Sequence, residues 1–183
     1  MQTQMQKKIG NDARIVWHFD PSHSSVEFSV RKLIFLTVKG RLTDIDGAIV
    51  LNETDMGRCS CEATIKADTI DTGNGRRDAH LRAPDFLDAI AYPNIQFQSS
   101  QVGPGKDRDM LAISGSLTIK ETSRDVVLNV TEVDRSRSPR GEEVIYYIAT
   151  TELDRFDFGI NHWRGVIGRT LKVVINVQAS RPI

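Results

Sequence analysis

The sequence has only two cysteines, Cys59 and Cys61, and both stand in one short stretch. Two thiols do not make a disulfide framework. Residues two apart on a strand also point the same way, poorly placed to bridge each other. No apolar run approaches the ~20 residues that a helix needs to cross a bilayer. Neither charge sign dominates: 24 Lys and Arg stand against 24 Asp and Glu, so net charge offers no electrostatic case for a nucleic-acid partner. Residues 1–13 carry Lys7 and Lys8 with no apolar segment behind them. They read as a polar, flexible tail and not as a secretory signal. A cytoplasmic location is the expectation for the sequence as it stands, and a periplasmic or secreted one if the N-terminus is incomplete. There is no βαβ rhythm, no internal repeat and no His-Glu-x-x-His spacing for zinc. What remains is one ordinary domain over residues 14–183, long enough to bury a core.

Most of that length alternates with period two. Ile15, Trp17 and Phe19 share one face; Val26, Phe28 and Val30 alternate with Glu27, Ser29 and Arg31. Such a pattern marks strands with one wet face. Leu33 to Leu36 is a short continuous apolar run, a helical turn against the sheet or the start of the next strand. Val38, Gly40 and Leu42 lie on even positions, whereas Ile45, Gly47, Ile49 and Leu51 lie on odd ones, so a bulge or bend is expected near Thr43-Asp44. Cys59, Cys61, Ala63 and Ile65 form another inward set. Val102 to Asp107 carries hairpin signals. Leu111 to Ile119, Val126 to Val130, Val144 to Leu153 and Leu171 to Val177 follow as strands, with Arg135 to Glu143 expected as a mobile loop. About eight strands at this spacing predict an all-β antiparallel barrel or sandwich. Glu27, Arg31, Glu62 and Lys66 put the polar face in water, which argues against a membrane barrel.

One segment breaks the rhythm, from Thr69 to Phe97. Gly73, Asn74 and Gly75 suit a sharp turn, and Arg76 to Arg82 are good helix formers. Pro84 stops that helix and is fit to start a second one, with Phe86, Leu87 and Ile90 as its apolar face. The segment reads as a helical insert that plugs, lids or braces a sheet.

The inward positions are often small: Gly40, Gly47, Cys59, Cys61, Ala63 and Gly115. A small barrel is filled by side chains or holds one ligand. Small residues leave room for a ligand, or they permit close packing and sheet bends; the residues alone leave both readings open.

Taken in order, several pieces resemble the YceI-like family. They are Trp17 with Asp20-Pro21-Ser22-His23-Ser24-Ser25-Val26-Glu27-Phe28, Val38 to Leu42, and Ile70-Asp71-Thr72-Gly73 with Arg77-Asp78 and His80-Leu81. Asp85 to Asp88, Tyr92-Pro93, Phe97, Gly115 to Ile119 and Phe156 to Ile160 complete the set. The resemblance implies an eight-stranded lipocalin-like barrel with a short helical insert. It implies a long apolar tunnel holding a polyisoprenoid, a quinone or a fatty-acid-like lipid, as carrier or store and not as an enzyme. No cofactor and no metal are expected, and a homodimer is left open. This chain departs from the family in having Lys32 where a histidine is common, and in showing no signal peptide.

On that reading the tunnel is lined by Trp17, Phe19, Phe28, Val30, Val38 and Gly40 from the first strands. Cys59, Cys61, Ala63, Phe97 and Leu117 line it further along. Phe35, Phe86, Phe158 and Trp163 are candidates for its mouth or lid. The rival is an enzyme, a hydrolase or isomerase, using His23, His80 and Asp78 at the barrel mouth. Against it, His23 suits bracing of a turn, and Arg77 and Asp78 suit pairing with neighbours to pin the insert to the barrel. Arg76 and Arg77 at the helix start are candidates for a phosphate head group. Cys59 falls mid-strand, where thiols are usually buried and inert.

Overall fold

The computed structural model describes residues 14–182; the polar tail expected over residues 1–13 lies outside them. Ten strands run β1 Arg14–Phe19, β2 Ser25–Lys32, β3 Leu36–Leu42, β4 Ile45–Asn52, β5 Ser60–Lys66, β6 Asn94–Pro104, β7 Met110–Ile119, β8 Thr122–Arg137, β9 Glu143–Asp154 and β10 Ile167–Arg181. All pairings between these strands are antiparallel, in the order β1-β4-β5-β6-β7-β8-β9-β10-β2-β3, and β1 also pairs with β10. That last pairing, His18 to Ser180 and Phe19 to Ala179, closes the sheet. β1 and β2 act as one long, interrupted strand along β10, as β3 and β4 do along their partners. The result is a closed eight-stranded antiparallel barrel with one short helix.

The two interruptions have local causes. At Asp20 to Ser24 the Asp20 carboxylate accepts from the Ser22 amide at 2.9 Å and lies 2.8 Å from His23 Nδ1. The Asp20 amide donates to the Gln178 carbonyl at 2.8 Å, so the turn stays on β10 while the chain steps from β1 to β2. The second break, at Thr43-Asp44, moves the inward set from even to odd positions, as the pattern predicts. A bulge between Ser99 and Gln101 does the reverse in β6, taking the buried set from Ile95 and Phe97 to Val102.

Several expectations need correction. Leu33 to Leu36 is no tucked helix: residues 33–35 are the exposed tip of the β2–β3 hairpin, with Ile34 at 80% and Phe35 at 92% exposure, and only Leu36 starts the next strand. The loop expected over Arg135 to Glu143 is shorter, residues 138–142 alone, because β8 runs to Arg137 and β9 starts at Glu143. The helix α1 spans Gly75–Leu81, but no second helix follows Pro84. Residues 83–92 are tight turns instead, and Ile90, expected on their apolar face, is 97% exposed.

The insert repairs a defect in the wall. β3 has a strand partner, β2, on one side only. Its other edge is met by Asp71, whose backbone exchanges two 2.9 Å bonds with Arg41. Asn74 caps α1 by accepting from the Arg77 amide at 3.0 Å. Asp78, only 6% exposed, accepts from the Thr72 amide at 3.0 Å and from the Thr72 hydroxyl. Its partner is therefore Thr72, and the Arg77 guanidinium binds the same threonine's hydroxyl at 2.7 Å and carbonyl at 2.9 Å. Arg82 completes the fastening through the carbonyls of Asp68 and Ile70, at 2.7 and 2.8 Å.

Because Asp78 satisfies two donors of a buried turn, Asp78→Ala leaves both unpaired. The expected loss is ~1–3 kcal/mol of stability, read from urea unfolding, with lipid affinity kept within a few-fold. A variant that unfolds like the parent yet loses all binding would place Asp78 in the ligand site instead.

Candidate functional site: an apolar tunnel with a cationic end

The inward faces of the strands do not meet at the barrel axis. They enclose a cavity of about 1020 Å³, at the upper end of the range for ligand pockets. Lining positions run from Cys59 to Ile65 on β5, ~20 Å at strand rise; Cys59 is not mid-strand as expected but caps the 3-10 turn Met56–Arg58 just before β5. Between the ends the lining is almost wholly aliphatic and aromatic, including Ile45, Ile49, Leu111, Ile113 and Leu128.

The two ends differ. One is formed by the β4–β5 connection and brings Asn52, Glu53, Thr54, Asp55 and Met56 to the cavity. The other is formed by α1 and the loop before β10; it brings Lys32, Arg76, Arg77, His80 and Trp163. Arg77 is committed to Thr72. Lys32 stands 5.9 Å from the Trp163 ring centre, and among the described residues neither it nor Arg76 has an acidic partner. Two cations thus remain available at this end.

Arg155 holds the Trp163 loop in place. Only 3% exposed, it donates to the carbonyls of Gly168 at 2.9 Å, Ile160 at 2.7 Å, His162 at 2.9 Å and Ile167 at 3.0 Å. Burial pulls its pKa down, opposed by the Asp154 carboxylate. At the opposite end Tyr147 borders the cavity and donates to Glu132 at 3.1 Å. Burial pushes its phenol up, and the Glu132 charge adds to that.

Eleven of the expected lining and mouth residues border the cavity: Phe19, Phe28, Val30 and Val38; Cys59, Cys61 and Ala63; Phe86, Phe97, Leu117 and Trp163. Four do not. Trp17 is 1% exposed and fills the barrel wall off the cavity, its ring 5.5 Å from the Arg135 guanidinium and 5.2 Å from that of Arg181. Gly40 lies behind Phe28, whose Cζ sits 2.5 Å from where a Cβ would be. Phe158 packs into the core from a short 3-10 turn, Arg155–Phe158. Phe35 points outward from the hairpin tip. Sequence reasoning missed Lys32 as a lining residue, since a long cation on an alternating strand reads as a wet face, and Arg155, which follows the last residue of β9 in a 3-10 turn where alternation no longer applies. The alternation of Ile45, Ile49 and Leu51 was signal enough for those three.

The rival triad does not assemble. His23 pairs with Asp20, His80 lies 3.4 Å from Asp85, and Asp78 is bound to Thr72. No two of His23, His80 and Asp78 share a hydrogen bond among the described residues.

A closed barrel with an apolar lumen and polar groups gathered at its ends defines a lipid-binding barrel. The sequence comparisons narrow the class: residues 17–179 match the YceI-like domain, and the chain belongs to that family. Protein YceI of Escherichia coli O157:H7 is 29% identical over 156 residues, covering 85% of this chain and 81% of that one. Among solved structures, Burkholderia cenocepacia BcnA superposes with a TM-score of 0.78 at 18% identity, covering 87% of this chain and 98% of its own. A polyisoprenoid binding domain from Saccharophagus degradans superposes with a TM-score of 0.65 at 14% identity, covering 91% and 98%. At those identities the two structures share the fold.

The cavity gives the cysteines a measurable property. Both are free thiols. Burial, with a smaller contribution from Glu62, pushes the Cys61 thiol up to about 12 from 9.0. Only the thiolate reacts, so native labelling of Cys61 by a maleimide at pH 8 should be on the order of a thousandfold slower than in urea. Comparable rates in the two states would mean that Cys61 is not buried in this wall.

Proposed function

We propose that the protein carries or stores a long-chain isoprenoid or a similar amphiphilic lipid in this tunnel. The observation that carries the reading is a cavity of about 1020 Å³ that is apolar along its length and cationic at one end. An apolar chain gains by leaving water for such a space. Its polar head, kept at the Lys32 and Arg76 end, is not forced into the aliphatic section, where an unpaired polar group is costly. The likeness to a domain described as polyisoprenoid-binding supports the same ligand class, and quinones or fatty acids fit the same description. A filled structural core, by contrast, gives no account of the open lumen.

The rim favours a carrier over a store. The hairpin tip beside the cationic end exposes Leu33, Ile34, Phe35 and Leu36, and the Leu33 amide donates to Val166 in the Trp163 loop at 2.8 Å. An apolar collar at a lipid tunnel's mouth suits contact with the surface that gives up or receives the lipid.

Two experiments test the reading. Native mass spectrometry of freshly purified protein should show a bound hydrophobic molecule, or one that rebinds after delipidation. Repeatedly empty protein that takes up no isoprenoid, quinone or fatty acid refutes it. The second is Ala63→Phe. Ala63 stands between Phe97 on β6 and Gly47 on β4 and borders the lumen. The new ring should fill ligand space and abolish binding while the ligand-free protein loses no more than ~1–3 kcal/mol. Parent-like lipid binding by this variant removes Ala63 from the ligand's path.

A further inference from the structure

Three side chains converge at the tunnel's cationic end. His80 comes from α1, Asp85 from the turn after Pro84, and His162 from the loop that Arg155 holds. His80 Nε2 lies 3.4 Å and His162 Nδ1 4.0 Å from the same oxygen, Asp85 Oδ2, and the three ligand atoms all fall within 4.8 Å of one another. As hydrogen bonds these contacts are poor, because charge-assisted pairs sit at about 2.7–2.9 Å. Both imidazoles also address one oxygen, on a carboxylate that is half-exposed. Neither histidine has another side-chain hydrogen-bond partner among the described residues.

The spacing suits a metal ion better. Tetrahedral zinc with N and O ligands at about 2.0–2.2 Å places its ligand atoms roughly 3.4 Å apart. One pair already stands there, and the others, at 4.0 Å and within 4.8 Å, need to close by roughly 0.6 to 1.4 Å to reach that spacing, within reach of side-chain rotation. The rings are also pre-positioned. His80 packs edge-on against Phe86 at 5.1 Å and Trp163 at 5.8 Å; His162 packs against Phe86 at 5.4 Å and Trp163 at 5.8 Å. Behind them, Arg155 anchors the His162 carbonyl at 2.9 Å, and the His80 carbonyl accepts from the Ala83 amide at 3.0 Å. Such backing is what holds ligating side chains in orientation.

We propose that His80, Asp85 and His162 form a binding site for a divalent transition-metal ion of the zinc type, with its fourth position open. Three protein ligands and an exchangeable fourth are the pattern of open zinc sites. Two neutral imidazoles and one carboxylate leave a bound Zn²⁺ with net positive charge, and Lys32 and Arg76 at the same end add to it. The open fourth position therefore favours an anionic ligand over the water it otherwise holds. His80 and Trp163 border the tunnel, so in the loaded protein that anion is the head group of the lipid, a step that rests on the lipid-carrier reading.

The test uses the delipidated full chain. Zn²⁺ titration by calorimetry should show one site, and Co²⁺ should give the intense visible absorption of a four-coordinate ion. His162→Gln and Asp85→Asn, each on a half-exposed side chain, should weaken Zn²⁺ at least tenfold with an unchanged melting temperature. His23→Gln, which removes a different His–Asp pair, should leave Zn²⁺ affinity as it is. No 1:1 binding, or equal affinity in parent and His162→Gln, overturns the metal site, whatever the lipid results. For the head group, Zn²⁺ should tighten binding of palmitate but not of hexadecanol, and His162→Gln should remove the difference. Metal binding without uptake of either amphiphile leaves the metal site standing and refutes the head-group role for a fatty-acid-type lipid. Uptake of both with no effect of Zn²⁺ refutes the head-group role alone.

Discussion

Everything at the site depends on the sheet meeting itself. An open antiparallel sheet of this length presents unpaired edges and collapses its apolar face onto something else. Here the seam is short: two residues of β1 on β10, continued by seven β2 positions on the same strand. β10 can do this because it is 15 residues long and keeps β9 on its other side from Thr170 to Arg181. With the seam closed, inward side chains meet each other only across the lumen. The remaining weak edge, on β3, is covered by the Asp71 bridge and α1. The insert is therefore part of the wall, and that is why its residues supply the mouth.

The width of the lumen comes from where the large rings lie. Phe28 covers Gly40, Phe19 covers Gly47 and Phe97 covers Gly115; a Cβ at each glycine would stand within 3 Å of a ring atom. Each phenylalanine thus lies flat on a neighbouring strand instead of projecting to the axis. Aromatic cover of a glycine stiffens a sheet that the glycine would otherwise weaken. The small inward residues consequently serve two purposes. The glycines seat rings, which is the close-packing reading, while Cys59, Cys61 and Ala63 border open space, which is the cavity reading.

This division marks what was legible beforehand. Period-two alternation carries face, so most strands and the aliphatic lining could be read from it. It carries no information on depth along the axis. Trp17 shares a face with Phe19, yet one fills the wall and the other borders the lumen. Nor does it separate an apolar run that is buried from one left bare at a hairpin tip, as Leu33 to Leu36 shows. The grouping of His80 with Asp85 and His162 was out of reach for another reason. Two segments some eighty residues apart meet only through the barrel's closure, and local spacing motifs see neither the closure nor the meeting.

The mouth itself turns on a charge with no carboxylate bonded to it. Arg155 is buried, and taking a guanidinium out of water is costly. Its Nε, Nη1 and Nη2 groups all donate to backbone carbonyls, so carbonyl dipoles replace the lost hydration. Nearby Asp154 contributes through space but is itself tied to Arg169. A carboxylate partner in direct contact would have satisfied the charge with fewer ties to the chain. Four carbonyls from residues 160–168 instead draw a whole loop around one side chain, and that loop carries His162 and Trp163. The irregular segment after β9 is thereby fixed as firmly as a strand end, without the pairing that a strand would need and with its side chains free to face the tunnel.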